Sequence, residues 1–61
     1  MNENKQFIGA KEICEIVDCG LTMAYGIIRQ LNEELEAKGY LVFRGKVYRK
    51  YFMERLYPQT E

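Results

Sequence analysis

The sequence contains no histidine, the side chain that most often serves as a general base or as a metal ligand. No nucleophilic side chain stands beside a base, and no glycine-rich phosphate-binding loop of the required form is present. These absences predict a protein that is not an enzyme and that uses no metal or other cofactor. Three glutamates, Glu33, Glu34 and Glu36, are therefore interpreted as a solvated helix face and not as a carboxylate site.

Cysteine is scarce, because Cys14 and Cys19 are the only two in the chain. Their spacing, in a chain without histidine, fits neither a zinc site nor a disulfide-dense secreted scaffold. We predict that both cysteines are reduced and that they pack in the interior.

Long apolar runs are also missing. The longest uncharged stretch runs from Cys19 to Ile28 and is much shorter than the ~20 apolar residues that a membrane span requires. The polar residues 1–5 lack the pattern of a signal peptide. We therefore expect a cytoplasmic protein that has no membrane partner.

Positive charge is not in excess, because nine lysine and arginine residues balance nine aspartate and glutamate residues. The distribution along the chain is nevertheless uneven. Near the C-terminus only Glu54 opposes five basic residues, which are Arg44, Lys46, Arg49, Lys50 and Arg55. Contacts to phosphate depend on lysine and arginine, so this segment predicts one basic side on which a nucleic acid could bind.

Apolar spacing predicts two helices in the first two-thirds of the chain. The first runs from about Ala10 to Val17 with Gly9 as its N-cap, and its apolar face consists of Ala10, Ile13, Cys14 and Val17. The second runs from about Leu21 to Lys38, and Gly39 predicts a left-handed helix end. Its apolar stripe consists of Ala24, Ile27, Ile28, Leu31 and Leu35.

Residues 40–57 predict a short hairpin followed by a third helix. Residues 40–43 are β-branched and aromatic, Arg44-Gly45 can form a two-residue turn, and residues 46–48 can return antiparallel. The spacing of Tyr48, Phe52 and Leu56 then predicts a helix from about Arg49 to Tyr57, which Pro58 ends.

The spacing from Ile13 to Ile27 matches what two helices joined by a tight crossing turn require. That motif needs a small residue at the crossing, a turn that tolerates positive φ, an apolar plug, and a small and then a branched apolar residue. These places hold Cys14, Asp18, Cys19, Ala24 and Ile27. The sequence thus resembles the helix-turn-helix family and departs from it at Asp18, where glycine is usual, although aspartate tolerates left-handed geometry. An ordinary helical hairpin is the alternative.

A helix-turn-helix would direct five residues of the second helix into the major groove of DNA, and these are Leu21, Thr22, Tyr25, Gly26 and Arg29. Arg29 can bind guanine edges or a phosphate, and Thr22 can contact a phosphate or a thymine methyl group. Gly26 allows the helix backbone to approach DNA closely. For Tyr25, packing of the phenol at the domain edge is an equal alternative.

Two cations, Arg44 and Lys46, flank Gly45 at the predicted hairpin tip. In a winged helix-turn-helix, side chains at this place reach the DNA backbone or the minor groove. Arg49 and Lys50, which follow the hairpin, complete the predicted set of DNA-binding residues. A solvated turn with incidental charges is the alternative.

Several short groups of residues occur in an order and spacing that are moderately specific. They are Phe7-Ile8-Gly9-Ala10-Lys11-Glu12, Ala24-Tyr25 with Ile27-Ile28-Arg29 and Leu31-Asn32, Lys38-Gly39-Tyr40, and Arg49-Lys50-Tyr51-Phe52 with Glu54-Arg55. With these groups the chain resembles the small excisionase-like winged helix-turn-helix proteins of phages and conjugative mobile elements, which are related to the MerR-type DNA-binding fold. The resemblance implies non-catalytic, sequence-specific binding of double-stranded DNA, in DNA recombination or in transcription regulation. It leaves a recombinase and a second copy of the chain open as further partners, and implies no small-molecule substrate.

The sequence therefore predicts a mainly α-helical, winged helix-turn-helix domain, in the order helix, helix, β-hairpin, helix. We expect this domain to span residues 7–57, between a flexible N-terminal segment of residues 1–6 and a C-terminal tail of residues 58–61. The competing hypothesis is a protein-interaction module that docks a partner chain through the second helix.

Overall fold

The computed structural model describes residues 6–57 as three helices and two short strands. In chain order these are β1 (Phe7–Gly9), α1 (Ala10–Val17), α2 (Leu21–Ala37), β2 (Lys46–Tyr48) and α3 (Arg49–Leu56). The predicted N-terminal segment, apart from Gln6, and the predicted tail with Pro58 lie outside the described residues. The prediction of a mainly helical domain is confirmed, and the arrangement is compatible with a winged helix. Within residues 6–57, no helix has both the length and the apolar character needed to cross a membrane.

Helix α1 presents one apolar face to the core. It begins at Ala10, after Gly9 in an extended conformation with φ −107° and ψ 179°. Ala10 and Ile13 are buried, and Cys14 and Val17 pack half-buried against them, which confirms the predicted face.

The turn between α1 and α2 depends on a left-handed residue. Asp18 has φ 55° and ψ 58°, so it adopts the conformation predicted for the place that glycine usually takes. The N–H groups of Asp18 and Cys19 both donate to the carbonyl oxygen of Cys14, the second over 3.2 Å. The two cysteines are free thiols that pack against the core, as predicted. Loss of water raises the pKa of the Cys19 thiol, and the neighbouring Cys14 raises it further.

Helix α2 contributes the largest share of the core. Four residues of the predicted stripe are buried, which are Ala24, Ile28, Leu31 and Leu35, and Ile27 packs half-buried beside them. Because these residues recur at the period of a helix, the opposite faces of α2 remain open to water.

The end of α2 follows the predicted left-handed pattern. The helix stops at Ala37, one residue before the predicted end at Lys38. Gly39 has φ 94°, and the N–H of Tyr40 donates to the carbonyl oxygen of Leu35 over 3.0 Å. This geometry turns the chain away from the helix axis and starts the connection to β2.

The two-stranded sheet differs from the predicted hairpin. Strand β2 pairs antiparallel with β1, in a register that sets Ile8 opposite Val47. Of the predicted preceding strand, only Phe43 makes a bridge, to Lys46. The reason is burial, because Ile8 and Val47 are each 1% exposed whereas Leu41 in the predicted strand is 71% exposed. Sequence analysis missed β1 because three residues before a helix are too few to show an alternating pattern.

Helix α3 closes the core. Its Phe52 is buried, and Tyr51 and Leu56 pack half-buried beside it. The helix ends at Leu56, and Tyr57 with φ −122° and ψ 78° lies outside helical geometry, so the predicted end is correct within one residue. All five elements contribute to one core, whose buried residues are Ile8, Ala10, Ile13, Ala24, Ile28, Leu31, Leu35, Val47 and Phe52.

The left-handed turn predicts opposite effects of two substitutions at Asp18. A residue with a Cβ atom loses about 1–2 kcal/mol in left-handed geometry, a loss that glycine avoids. Glycine also makes the unfolded chain more flexible, which opposes this gain. We therefore expect Asp18→Gly to raise the free energy of unfolding by at most ~1 kcal/mol. Asp18→Ala should lose about 1 kcal/mol, because alanine tolerates the conformation less well than aspartate. Urea denaturation measures both, and an alanine variant as stable as the glycine variant would contradict the observed turn.

Candidate nucleic-acid interface

A groove with a volume of about 590 Å³ runs between α2 and the α2–β2 loop, which comprises residues 38–45. We call it the α2–loop groove. Helix α2 contributes Thr22, Tyr25, Gly26, Ile28, Arg29, Asn32, Glu33 and Glu36, and the loop contributes Val42, Phe43, Arg44 and Gly45. Both predicted DNA-binding segments, the start of the second helix and the hairpin tip, thus contribute to one concave surface.

The α2 side of this groove follows from helix periodicity. Thr22, Gly26 and Arg29 recur at intervals of four and three residues, so they share one face beside the buried stripe. All three are exposed. Tyr25 also lines the groove and is 54% exposed.

The loop side of the groove ends in a tight turn of residues 43–46, the 43–46 turn. Phe43 bridges to Lys46 across Arg44-Gly45. Gly45 has φ 83°, a conformation that residues with a Cβ atom rarely adopt. The predicted two-residue turn at Arg44-Gly45 is therefore confirmed, although the strand predicted before it does not form. Arg44 is exposed at the tip.

Two polar side chains anchor the α2–β2 loop. Nδ2 of Asn32 donates to the carbonyl oxygens of Phe43, over 2.9 Å, and of Lys46, over 3.0 Å. The hydroxyl of Tyr48 donates to the carbonyl oxygen of Leu41 over 2.7 Å. The sequence placed Tyr48 in the returning strand and in the apolar spacing of the third helix, but it predicted an anchoring role for neither side chain. For Asn32 the available signal was its place beside the buried stripe of α2, where a polar side chain meets backbone groups as well as water.

An aromatic cluster supports the 43–46 turn. The ring centroids of Phe7 and Phe43 are 5.4 Å apart with an edge-to-face angle of 87°, and those of Phe7 and Tyr48 are 4.9 Å apart. Nζ of Lys46 lies 5.1 Å from the centroid of Phe7 and 5.6 Å from that of Phe43. Lys46 is exposed, so the rings orient its charge without removing it from water.

The structure brings together five of the nine predicted DNA-binding residues, and these are Thr22, Tyr25, Gly26, Arg29 and Arg44. Two more adjoin the groove: Leu21 is 50% exposed at the first position of α2, and Lys46 closes the 43–46 turn. Arg49 and Lys50 lie at the start of α3 and line a different surface depression, together with Tyr57.

Arg49 is engaged within the protein. Its guanidinium donates twice to the carboxylate of Glu12, over 2.8 Å and 3.0 Å, and once to the carbonyl oxygen of Phe7, over 3.2 Å. The carboxylate of Glu12 raises the pKa of Arg49 further above its usual range. This bidentate pair ties α3 to α1 and β1, so Arg49 is less available to a phosphate than Arg29 or Arg44.

The charge pattern differs from the predicted single basic side. Arg55 pairs with Glu34 over 3.2 Å, so two of the five basic residues of the C-terminal segment are in ion pairs. Glu33 and Glu36 do not lie apart from the basic residues but line the α2–loop groove, because they follow Arg29 by four and seven residues on one helix face. In the groove, the basic Arg29 lies at the middle of α2 and Arg44 comes from the loop, whereas the acidic Glu33 and Glu36 lie further along the helix.

The pair of Glu34 with α3 predicts a pH dependence of stability. The hydroxyl of Tyr51 donates to Glu34 over 2.6 Å and, ahead of Arg55, holds the pKa of Glu34 below its usual value. A group with a lowered folded pKa stabilises the protein above its unfolded pKa and loses that effect as pH falls through the folded pKa. We therefore expect the wild type to have a higher melting temperature than the Tyr51→Phe variant at neutral pH. The difference should shrink as the pH falls from about 5 to about 3. A difference in melting temperature that is constant over this range would contradict the assignment.

The chain is similar in sequence to a curated bacterial protein, the ICEBs1 excisionase of Bacillus subtilis (strain 168). The identity is 39% over 49 residues, which cover 80% of this chain and 77% of that protein. No protein-family model matches the chain. No solved structure matches it. The similarity confirms the excisionase part of the resemblance found in the sequence, and the chain belongs to the excisionase family.

Proposed function

We propose that this protein is a non-catalytic recombination accessory factor that binds double-stranded DNA sequence-specifically through the α2–loop groove. In this proposal α1, the turn at Asp18 and α2 form a helix-turn-helix, and the 43–46 turn forms the tip of the wing. The observation that carries the proposal is the convergence of Arg29 from α2 and Arg44 from the loop on one open groove. The relationship to an excisionase favours recombination over transcription regulation.

The groove offers the side chains that duplex recognition needs. A helix with its side chains is about 10–12 Å across, so the first two turns of α2, from Thr22 to Arg29, fit a major groove about 12 Å wide. Arg29 is suited to bind the O6 and N7 edge of guanine, and Thr22 to bind a phosphate or a thymine methyl group. Arg44 and Lys46 are suited to bind the sugar-phosphate backbone beside the helix.

Charge determines which end of α2 enters the DNA. Glu33 and Glu36 line the same groove and follow Arg29 by four and seven residues, about 6 Å and 10 Å further along the axis, distances comparable to the Debye length of about 8 Å in physiological salt. A carboxylate nearer than that to a phosphate would be repelled, so the second half of α2 lies outside the major groove. Since Arg49 is paired with Glu12 and Arg29 is assigned to a base, we infer about three phosphate contacts per copy, from Arg44 and Lys46 at the turn and from Lys50 outside the groove.

Other parts of the predicted function stay predictions. A relation to the MerR-type fold is one, and a recombinase or a second copy of the chain as additional partner is another. With duplex DNA as the proposed partner, we propose a cytoplasmic location, and the proposed binding uses no cofactor.

The test begins with selection of a preferred site from random duplexes, followed by fluorescence anisotropy against that site and a random duplex. We expect Arg29→Ala to lose about 10- to 100-fold in affinity for the preferred site and much less for the random duplex, since a base contact is lost. Lys11→Ala, an exposed cation of α1 outside the groove, should leave both affinities unchanged. A plot of the logarithm of the association constant against the logarithm of the salt concentration should have a slope of about −3.

Two results would overturn the proposal. One is the absence of any complex at tens of micromolar protein in low salt, and the other is a salt slope near zero. Either would favour the competing hypothesis, in which α2 docks a protein partner.

A substitution at Gly26 should change stability and DNA binding in opposite directions. It lies inside α2, and a Cβ atom there would meet no neighbouring atom within 4 Å. Gly26→Ala should therefore raise the free energy of unfolding by about 0.5–1 kcal/mol, because alanine favours helix more than glycine does. We expect the same variant to bind duplex DNA more weakly, because the added methyl group keeps the backbone from close approach. Gln30→Ala, on α2 outside the groove, is the matched control, and a stabilised Gly26→Ala variant with full affinity would exclude Gly26 from the contact.

A further inference from the structure

Asn32 joins the two sides of the α2–loop groove. It lies one helical turn after Arg29 on α2, and its Nδ2 donates to the carbonyl oxygens of both Phe43 and Lys46. These two residues begin and end the turn that carries Arg44. Within residues 6–57, every hydrogen bond between α2 and the 43–46 turn comes from this one amide.

The orientation of this amide is determined by its surroundings. Only the NH2 group can donate, so the opposite orientation would set an oxygen against two carbonyl oxygens. In the observed orientation Oδ1 is buried and has no hydrogen-bond partner among the described residues. A buried acceptor without a partner is unfavourable, so Asn32 retains its two bonds to the turn at a cost to stability.

The other supports of the loop come from β1 and β2 and not from α2. Tyr48 binds the backbone at Leu41, and Phe7 contacts the ring of Phe43. Neither of these contacts involves α2, so the direct hydrogen-bonded link between α2 and the turn is the one made by Asn32. Arg44 is exposed at the tip, and Lys46, which closes the turn by its bridge to Phe43, also pairs with Gly9 of β1.

We propose that Asn32 is a positioning residue of the DNA interface. It holds the 43–46 turn against α2, so that Arg44 meets the backbone of the same duplex whose bases Arg29 contacts, and it does not itself touch DNA. This inference rests on the function proposed above.

A double-mutant cycle tests the proposal. Arg44→Ala should weaken binding to preferred and random duplexes about fivefold each and lower the salt slope by about one unit. Asn32→Ala should have the same two effects, because it releases the turn that carries the cation. The combined variant should then bind no more weakly than either single variant, since both remove one contact.

A purely stabilising role of Asn32 gives a different result. The losses in affinity would then multiply in the combined variant, and the salt slope of Asn32→Ala would equal that of the wild type. Tyr51→Phe is the matched control, because it removes a hydrogen bond of similar kind outside the groove and should leave affinity and slope unchanged. Circular dichroism melts establish that each variant is folded at the temperature of measurement.

A measurement on the wild type covers the case in which Asn32→Ala does not fold. By NMR, the side-chain amide protons of Asn32 should exchange with water more slowly than those of the exposed Gln6. Equal exchange rates would overturn the inference. Loss of affinity in Arg44→Ala but not in Asn32→Ala would overturn this inference alone, whereas full affinity in both Arg29→Ala and Arg44→Ala would overturn the proposed function.

Discussion

The pairing of Ile8 with Val47 constrains much of the structure. Each residue is 1% exposed, and the antiparallel pairing of their strands closes the core between the first and the last third of the described chain. Because α2 ends at Ala37, the chain must return along this helix before it can enter β2 beside β1. That return brings the 43–46 turn beside the middle of α2, where Asn32 binds it. The α2–loop groove is thus a consequence of how the core closes.

Two ion pairs help to hold α3 against the other helices, because α3 contributes only Phe52 to the fully buried core. The pair of Glu12 with Arg49 joins α1 to α3, and the pair of Glu34 with Arg55 joins α2 to α3. Partly exposed pairs contribute about 0–1 kcal/mol each, but together they orient a short helix. They also occupy two cations in a chain whose net charge is zero. In the proposed function, contacts to bases through α2 therefore carry a larger share of the binding free energy than in a strongly basic protein.

Local patterns in the sequence predicted the local structure, but they did not predict contacts between residues that are distant in the chain. The three helices agree with the prediction within one residue at each end, because their apolar residues repeat at a helical period. The left-handed turn at Asp18 was predictable from the tolerance of aspartate for that conformation. Strand β1 was not predictable, since its partner lies in the last third of the chain, and the pair of Glu12 with Arg49 spans 37 residues. Thus five predicted residues meet in the groove, while Arg49 is held elsewhere.

The groove also contains the places where α2 departs from what stability alone favours. Gly26 interrupts the helix where an alanine would fit, at a cost of about 0.5–1 kcal/mol. The buried Oδ1 of Asn32 lacks a partner among the described residues, which is unfavourable for a buried acceptor. The buried stripe on the other side of the same helix contains only apolar residues and has no such departure. Sequences that fold well tend to break local rules at functional sites, so two departures on one face indicate that this face meets a requirement other than folding. In the proposed function, a close approach of DNA to the backbone would explain the first departure, and a fixed distance between α2 and the 43–46 turn would explain the second.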